Sequence, residues 1–464
     1  MRKDEEGTLA EHLAEYALDL TPDRGVMQRA LFSLKDSIGC MMAGMKEEAT
    51  ITARRYVSGR TGSAEAHAVG LRGRTDAAYA ALINGVAINA HDFDDISVAM
   101  NGHPSAVVLP AAMACAEFLQ ADGNAFLNAY IAGIETASVF GRGVCPESFR
   151  RGWHCTSVIG ILGATVAAGR LFGLTKRELA SALCLAASEA SGVKANLGAL
   201  AKPFHCGRAA QKAIEAVLLT RCGCTANLSA LDAPDGLACL IAGQLHTEPI
   251  YKALQNGVSV FCESGIGLKP YPSCKCTFNG IDALTEIMKK HRKTADEIAS
   301  VSCALQTAAF ENLRYHAPQT SLQKKLSMEY CLAMAAMEGT VTLTQFASDD
   351  PPEGTVQQLM NRIRVTQSNA LETFVEDTAE VAVAFQDGTN DTMRVEYASG
   401  SPEKPMTEAS VREKFLNCCA QNLSKADAQE LWDELDAIRS VPDCCSFFEK
   451  LFTLPWKREA RYDV

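Results

Sequence analysis

Residues 157–174, SVIGILGATVAAGRLFGL, form the longest apolar stretch of this 464-residue chain. Glycine and alanine are frequent in the stretch and Arg170 interrupts it, which is typical of a buried helix and not of a membrane span. Hydrophobic residues make up 47% of the chain and aromatic residues only 7%, so small side chains must fill much of the core. The stretch therefore predicts closely packed helices and a mainly α fold.

The segments on both sides of this stretch continue the helical pattern. Apolar residues recur at three- and four-residue steps over 8–56, and residues 76–90 form an alanine-rich pattern for which Thr75 is the expected cap. Residues 110–139 predict two helices with a break near Asp122 and Gly123. Thr175 and Glu178 form a T-x-x-E capping box that predicts a helix over 176–191. Residues 143–155 are expected to be a loop.

The pattern changes after residue 266. Residues 281–291 predict a helix and 300–306 a strand, while 380–385 and 392–397 alternate between apolar and polar residues. Asp387 and Gly388 lie between the two alternating segments, where they predict a hairpin turn. After a break at 400–402, helical patterns return over 407–451. We therefore expect a large all-helical domain, 1–266 plus 401–464, interrupted by a smaller α/β lid domain, 267–400.

Charge and cysteine content limit the partners and the location. The formal net charge is −11, which argues against nucleic acid or an anionic membrane as a partner. The first twenty residues are acidic and amphipathic and lack the apolar core of a signal peptide, so a cytoplasmic location is expected. The eighteen cysteines are expected to be reduced, and none are spaced as C-x-x-C, the pattern typical of zinc and iron–sulfur sites.

The densest group of reactive side chains is HDFDD at 91–95, followed by GHPS at 102–105. It lies in a loop between two apolar helical patterns. Carboxylates beside a histidine can fix its tautomer and raise its pKa, which suits a general acid or base. Helix capping by the aspartates with a surface histidine is an equally good interpretation, and a site for a hard cation is a weaker one.

Three further clusters could contribute to a site. GWHCTS at 152–157 enters the apolar helix, KPFHCGR at 202–208 carries cations at a loop-to-helix junction, and LKPYPSC at 268–274 lies where the helical region ends. Cations and helix starts can anchor a carboxylate. A structural histidine, an exposed loop and a rigid proline linker are the respective alternatives. Tyr315, within RYH at 314–316, could add a phenol or lie in a surface loop.

Taken in order, these motifs resemble the MmgE/PrpD family, which includes 2-methylcitrate dehydratases, cis-aconitate decarboxylases and iminodisuccinate epimerases. Asp36-Ser37-Ile38-Gly39 supports the resemblance, which covers residues 25–430. It implies a large helical domain with a smaller α/β lid, a homodimer, and no metal or other cofactor. The residues that it implies for the pocket are Asp92, His103, His154, Lys202, Lys269 and Tyr315.

The chemistry shared by these enzymes is the making or protonating of a carbanion beside a carboxylate. The resemblance therefore implies that Lys202 and Lys269 hold substrate carboxylates. It implies that His103, oriented by Asp92 or Asp95, transfers the proton and that His154 assists. The remaining candidates are Tyr315 as a further catalytic residue and Ser97, Asp95 and Ser273 as substrate contacts.

The resemblance points first to a metal-independent lyase for a small di- or tricarboxylic acid, similar to 2-methylcitrate dehydratase. Decarboxylation of cis-aconitate and epimerisation of iminodisuccinate are the alternatives, and Ile96, where many members have threonine, leaves the substrate open. A magnesium-dependent helical synthase is more remote, because the prolines of DDPPE at 349–353 are incompatible with a continuous helix. A non-catalytic protein is the other remote alternative.

Overall fold

A computed structural model describes residues 7–60, 62–257, 259–262 and 265–454. The parts of the predicted helical domain at 1–6, 61, 258, 263–264 and 455–464 lie outside these residues. The helices are α1 (Leu9–Asp19), α2 (Arg24–Gly44), α3 (Glu48–Ser58), α4 (Ala77–Asn89), α5 (Ser105–Phe118), α6 (Gly123–Gly141), α7 (Glu147–Arg150), α8 (Cys155–Leu171), α9 (Lys176–Glu189), α10 (Ala201–Arg221), α11 (Leu237–Ala242), α12 (Thr247–Asn256), α13 (Phe278–His291), α14 (Thr307–Asn312), α15 (Ser321–Lys324), α16 (Met328–Glu338), α17 (Gly354–Met360), α18 (Glu408–Cys419), α19 (Lys425–Asp436) and α20 (Cys444–Thr453). The strands are β1 (Ala66–His67), β2 (Arg74–Thr75), β3 (Ile96–Ser97), β4 (Ile266–Gly267), β5 (Ile298–Leu305), β6 (Ile363–Gln367), β7 (Ala379–Phe385) and β8 (Asn390–Val395).

The fold is mainly α, as the sequence predicts. The chain forms two compact units, one of Met1–Gly267 with Thr407–Val464 and one of Leu268–Met406. The predicted boundaries fall at 266 and 400. Among the described helices, none is long and apolar enough to cross a membrane.

Local signals set several helix boundaries of the first unit. The apolar stretch forms α8, whose first fifteen residues are all buried, and Thr175 and Glu178 make the predicted capping box at the start of α9. Asp122 caps α6, which confirms the predicted break. The expectation for Thr75 is wrong: the N-cap of α4 is Asp76, whose side chain accepts a hydrogen bond from the backbone N–H of Ala78. The predicted loop at 143–155 contains the short helix α7.

The core of the first unit is built around α4, α5, α8 and α10: α10 packs against the other three helices, and α5 packs against α4 and α8. Small residues make this possible. A Cβ atom on Gly207 of α10 would lie 2.2 Å from the carbonyl oxygen of Leu82 in α4, so only glycine fits there. This packing brings the start of α10 close to the end of α4.

The second unit contains a four-stranded sheet in the order β6-β5-β7-β8. β7 and β8 are antiparallel, which confirms the predicted hairpin, and Gly388 has the positive φ of 88° that its turn requires. Val381, Val383 and Phe385 are buried on one face of β7, as their alternation predicts. Strand β6, which pairs parallel to β5, was not predicted.

Candidate active site

One polar cluster in the first unit is assembled at the ends of four helices. His103 lies two residues before α5, His154 is the N-cap of α8, and Lys202 is in the first turn of α10. Asp92 follows the end of α4. Helix N-termini carry partial positive charge, so the starts of α5, α8 and α10 favour an anion in this region.

The imidazole of His103 is held on both of its nitrogens. Its Nε2 lies 3.1 Å from Oδ1 of Asp92, and its Nδ1 lies 3.3 Å from Oδ2 of Asp94. Nδ1 is also 3.0 Å from the backbone carbonyl oxygen of Asp95. The side chain is 12% exposed. Contacts of both nitrogens with oxygen acceptors favour the doubly protonated ring, since only the imidazolium donates from both.

The charges around His103 agree with this protonation state. Burial alone would lower the pKa of the ring, but the neighbouring Asp94 and Asp92 carboxylates outweigh burial, and Lys202 opposes them weakly. The result is a pKa raised to about 9. His103 is therefore an imidazolium at neutral pH and can act as an acid.

Asp92 connects this imidazolium to Lys202. Nζ of Lys202 lies 2.8 Å from Oδ1 of Asp92, the same oxygen that contacts His103. Burial alone would lower the pKa of Lys202, but its neighbours, the Asp92 carboxylate first among them, outweigh burial and the pKa is raised. Lys202 therefore keeps its ammonium form. Asp92 has a φ of 55°, a left-handed conformation that is uncommon for residues other than glycine. Such a backbone is maintained only where its surroundings fix it.

Asp94 is the carboxylate that the sequence analysis did not select. Its side chain is fully buried and accepts hydrogen bonds from the Asn89 amide at 3.0 and 3.2 Å. Burial would raise its pKa, but His103 and Lys202 outweigh that effect and hold the pKa below its usual value. Asp94 therefore remains ionised beside His103.

Of the two aspartates expected to orient His103, Asp92 contacts the ring through its carboxylate, whereas Asp95 contacts it through its backbone carbonyl oxygen. The Asp95 carboxylate accepts hydrogen bonds from the backbone N–H and the hydroxyl of Ser105, and Tyr130 contacts the same hydroxyl at 2.6 Å. Burial raises the pKa of Asp95 to about 7. Asp95 is fully buried. Its carboxyl thus joins the loop to α5, and its role as a substrate contact stays a prediction.

Ser97, another predicted substrate contact, is also buried. Its hydroxyl lies 3.2 Å from the hydroxyl of Ser138 and accepts a long hydrogen bond from the backbone N–H of Met100. These contacts stabilise the turn that leads from the acidic residues to His103.

His154 lies against a second histidine. Its Nδ1 is 3.0 Å from Nδ1 of His205, which is the fifth residue of α10. Burial and the positive charges of Lys202 and His103 lower the pKa of His154 to about 2. The pKa of His205 is lowered by burial and by Lys202. Both rings are therefore neutral, and one must donate its Nδ1–H to the other.

Gly102 explains how His103 reaches this position. A Cβ atom on Gly102 would lie 2.7 Å from the backbone nitrogen of Thr156. The close approach lets the backbone N–H of His103 donate to the Thr156 hydroxyl at 3.1 Å. The GHPS and GWHCTS motifs are thus in direct contact.

The other predicted site residues belong to the second unit. Lys269 is buried, with Nζ 5.8 Å from the centre of the Phe278 ring. The Ser273 hydroxyl lies 2.8 Å from that of Thr277. Tyr315 is half-buried in the loop after α14, beside Arg314. Their roles remain predictions from the resemblance.

Two arrangements bear on metal binding. Within the described residues, Asp92, Asp94 and His103 each offer a ligand atom, and these atoms lie within 4.8 Å of one another. Lys202 and the His103 imidazolium, however, already give the two carboxylates two positive charges, so the donor set fits an ion-paired acid better than a metal centre. The DDPPE segment at 349–353, on which the alternative of a magnesium-dependent synthase depends, precedes α17 and is not helical, as its prolines predict.

Comparison with known proteins extends over nearly the whole chain. The sequence model of the MmgE/PrpD N-terminal domain matches residues 7–249, and that of the MmgE/PrpD C-terminal domain matches residues 271–438. The site residues of the first unit fall within the first match.

Three relatives are named cis-aconitate decarboxylase. The protein of Mus musculus is 26% identical over 443 residues, which cover 90% of this chain and 88% of the relative. That of Homo sapiens is 26% identical, covering 90% and 89%. That of Aspergillus terreus is 26% identical, covering 92% and 91%. The similarity therefore spans both units.

Proposed function

The chain belongs to the MmgE/PrpD family, and from this premise we propose that it is a carboxy-lyase that removes CO₂ from a small unsaturated tricarboxylic acid such as cis-aconitate. The observation that carries the proposal is the His103 imidazolium, held between Asp92 and Asp94 beside Lys202. The names of the relatives support the choice of acid.

Decarboxylation needs a proton donor but no base. The bond between carbon and the departing carboxylate breaks, and its electron pair is delocalised over the adjacent double bond and a remaining carboxylate. A proton from His103 then forms the new C–H bond, and solvent returns a proton to the ring. Nδ1 of His103 contacts Asp94 and the carbonyl oxygen of Asp95. Nε2, which faces the partly exposed Asp92, is therefore the nitrogen assigned to proton delivery.

Stabilisation of the developing negative charge is assigned to the cationic side of the cluster. Lys202 and the N-terminal ends of α5, α8 and α10 provide positive potential around His103. One such contact contributes about 2.7–4 kcal/mol to the barrier in enzymes of this kind. Lys269 stays a predicted second carboxylate contact.

Dehydration, which the sequence resemblance suggested first, makes a different demand. Removing water from 2-methylcitrate requires a base for the C–H proton as well as an acid for the hydroxyl. With a pKa lowered to about 2, His154 is a weak base. Because the cluster offers a donor that is protonated at neutral pH, while its neutral His154 is a poor base, decarboxylation is the better-supported reaction.

Proton NMR in D₂O with EDTA, on separate samples of cis-aconitate, 2-methylcitrate, citrate and iminodisuccinate, tests the proposal. We expect cis-aconitate to yield CO₂ and itaconate that carries one deuterium. New vinyl signals from 2-methylcitrate alone would replace decarboxylation by dehydration. Exchange with inversion of iminodisuccinate alone would indicate an epimerase. No reaction with any of the four would refute the proposed substrate class.

A further inference from the structure

The acidic loop, residues 92–95, is contacted by a buried lysine that the proposed reaction does not use. Lys414 lies on α18, and its side chain is 4% exposed. Its Nζ is 2.6 Å from Oδ1 of Asp36 on α2, whose side chain is fully buried. The pair therefore joins α2 to α18 inside the first unit.

The same ammonium group binds the middle of the acidic loop. Nζ of Lys414 donates a hydrogen bond to the backbone carbonyl oxygen of Phe93 at 2.7 Å. It also lies 3.8 Å from the centre of the Phe93 ring, a cation–π distance. Phe93 is 5% exposed. It stands between Asp92 and Asp94, the two carboxylates that hold His103.

We propose that Lys414 is a positioning residue, which fixes the acidic loop so that Asp92 and Asp94 both meet the His103 imidazole. The inference rests on the proposed function only in giving His103 its role as the acid. Asp36, from the motif Asp36-Ser37-Ile38-Gly39, supplies the charge that allows Lys414 to be buried.

The backbone explains why the loop needs such a support. Two carboxylates separated by one residue contact the two nitrogens of one ring, in a loop where Asp92 has a left-handed conformation with a φ of 55°. Without a bond at Phe93, the loop could return to a more populated backbone conformation. Both carboxylates would then move relative to His103.

The charges around Lys414 explain how its ammonium group can be buried. The groups facing it are Asp36 and the thiols of Cys40 and Cys418; burial lowers the pKa of Lys414, but these groups, Asp36 first among them, keep it above its usual value. Burial, in turn, raises the pKa of Asp36 to about 6. Buried ion pairs are often replaceable by neutral side chains without loss of stability. The specific contact with Phe93 is what such a replacement would remove.

The experiment compares Lys414→Met, the double variant Asp36→Asn with Lys414→Met, and Lys35→Met. Lys35 is the matched control, since it is a fully buried lysine of α2 that pairs with Asp436 of α19. It stacks on Trp432 instead of Phe93. For each protein we would titrate the His103 ring by NMR, and record Tm, kcat and KM.

In Lys414→Met and in the double variant, we expect the pKa of His103 to fall by about one unit or more. We expect kcat at pH 8 to fall about tenfold, with a smaller change in KM. The double variant, which leaves no buried charge unpaired, should recover Tm but not the pKa of His103. Lys35→Met should lower Tm and leave that pKa unchanged.

An unchanged pKa of His103 in the double variant would overturn the proposal, since Lys414 would then serve only to neutralise Asp36. The double variant also covers the case in which Lys414→Met alone does not fold. The NMR titration is independent of the substrate. If the wild-type protein converts none of the four acids while the pKa of His103 responds as expected, the proposed function fails and the positioning role stands.

Discussion

Replacing Asp94 by asparagine removes the negative charge that acts most strongly on His103. Asp94 is the largest contributor that raises the pKa of this ring, through its charge and through the contact at 3.3 Å. Asparagine has almost the same shape, and the Asn89 amide can still donate to its carbonyl oxygen. The substitution therefore changes charge with little change in volume.

The size of the effect expected for Asp94→Asn follows from the pKa of His103. Its value of about 9 stands about 2.5 units above the unfolded value of 6.5, which corresponds to about 3 kcal/mol of stabilisation. Because the folded pKa is the higher one, this stabilisation is complete below about pH 6.5 and is lost as pH rises through about 9. Asp92 remains in Asp94→Asn but is shared with Lys202, so we expect the pKa of His103 to fall to about 7.

Two assays read this change. The alkaline limb of kcat/KM should move from about pH 9 to about pH 7, and the free energy of unfolding in urea should lose most of its dependence on pH between 6.5 and 9. Asp95→Asn is the control, since that carboxyl contacts Ser105 instead of the imidazole. A limb that stays near pH 9 in Asp94→Asn, or moves equally in both variants, would refute this electrostatic account.

Three further predictions concern charge, packing and metals. Lys202→Met should lower kcat/KM by about 10²–10³-fold. It should also move the alkaline limb of the pH profile of kcat/KM to higher pH, because Lys202 lowers the pKa of His103; a limb that stays in place or moves to lower pH would contradict this. Gly102→Ala would place a Cβ atom 2.7 Å from the backbone nitrogen of Thr156, and should lower the free energy of unfolding by about 1–3 kcal/mol. Gly59→Ala is the control, because no atom lies within 4 Å of its new Cβ, and it should change the free energy of unfolding by less than about 0.5 kcal/mol. Dialysis against EDTA should leave the rate of product formation unchanged, and a loss restored by added Mg²⁺ or Zn²⁺ would show that the reaction needs a metal.

The parts of the fold that the sequence predicts well depend on residues that are close together in the chain. The capping box of Thr175 and Glu178 and the turn at Gly388 are local chemistry, so a short segment contains the whole signal. Strand β6 depends instead on pairing with β5, more distant in the chain, and its exposed and half-buried residues give no clean alternation. Thr75 and Asp76 are both good caps, and the backbone decides between them.

In the site, too, contacts between distant segments could not be predicted from the sequence. His103, His154 and Lys202 could be selected from residue type and motif, and the structure places them in one cluster. Asp92 could be selected as a neighbour of the imidazole, whereas Asp94 could not, because its contact with His103 depends on the backbone conformation of the loop. The sequence analysis also selected neither His205 nor Lys414. Their significance comes from contacts with distant segments, His205 with His154 and Lys414 with Phe93.

The central claim is that the His103 imidazolium delivers the proton in the reaction. The most direct measurement is the rate at which purified His103→Gln converts cis-aconitate, followed by proton NMR in D₂O, beside wild-type protein and His316→Gln. His316 lies in the second unit with a side chain that is 51% exposed. We predict that His103→Gln loses at least about 10²-fold in kcat, while His316→Gln keeps the wild-type rate. Turnover by His103→Gln within a few-fold of wild type would contradict the account.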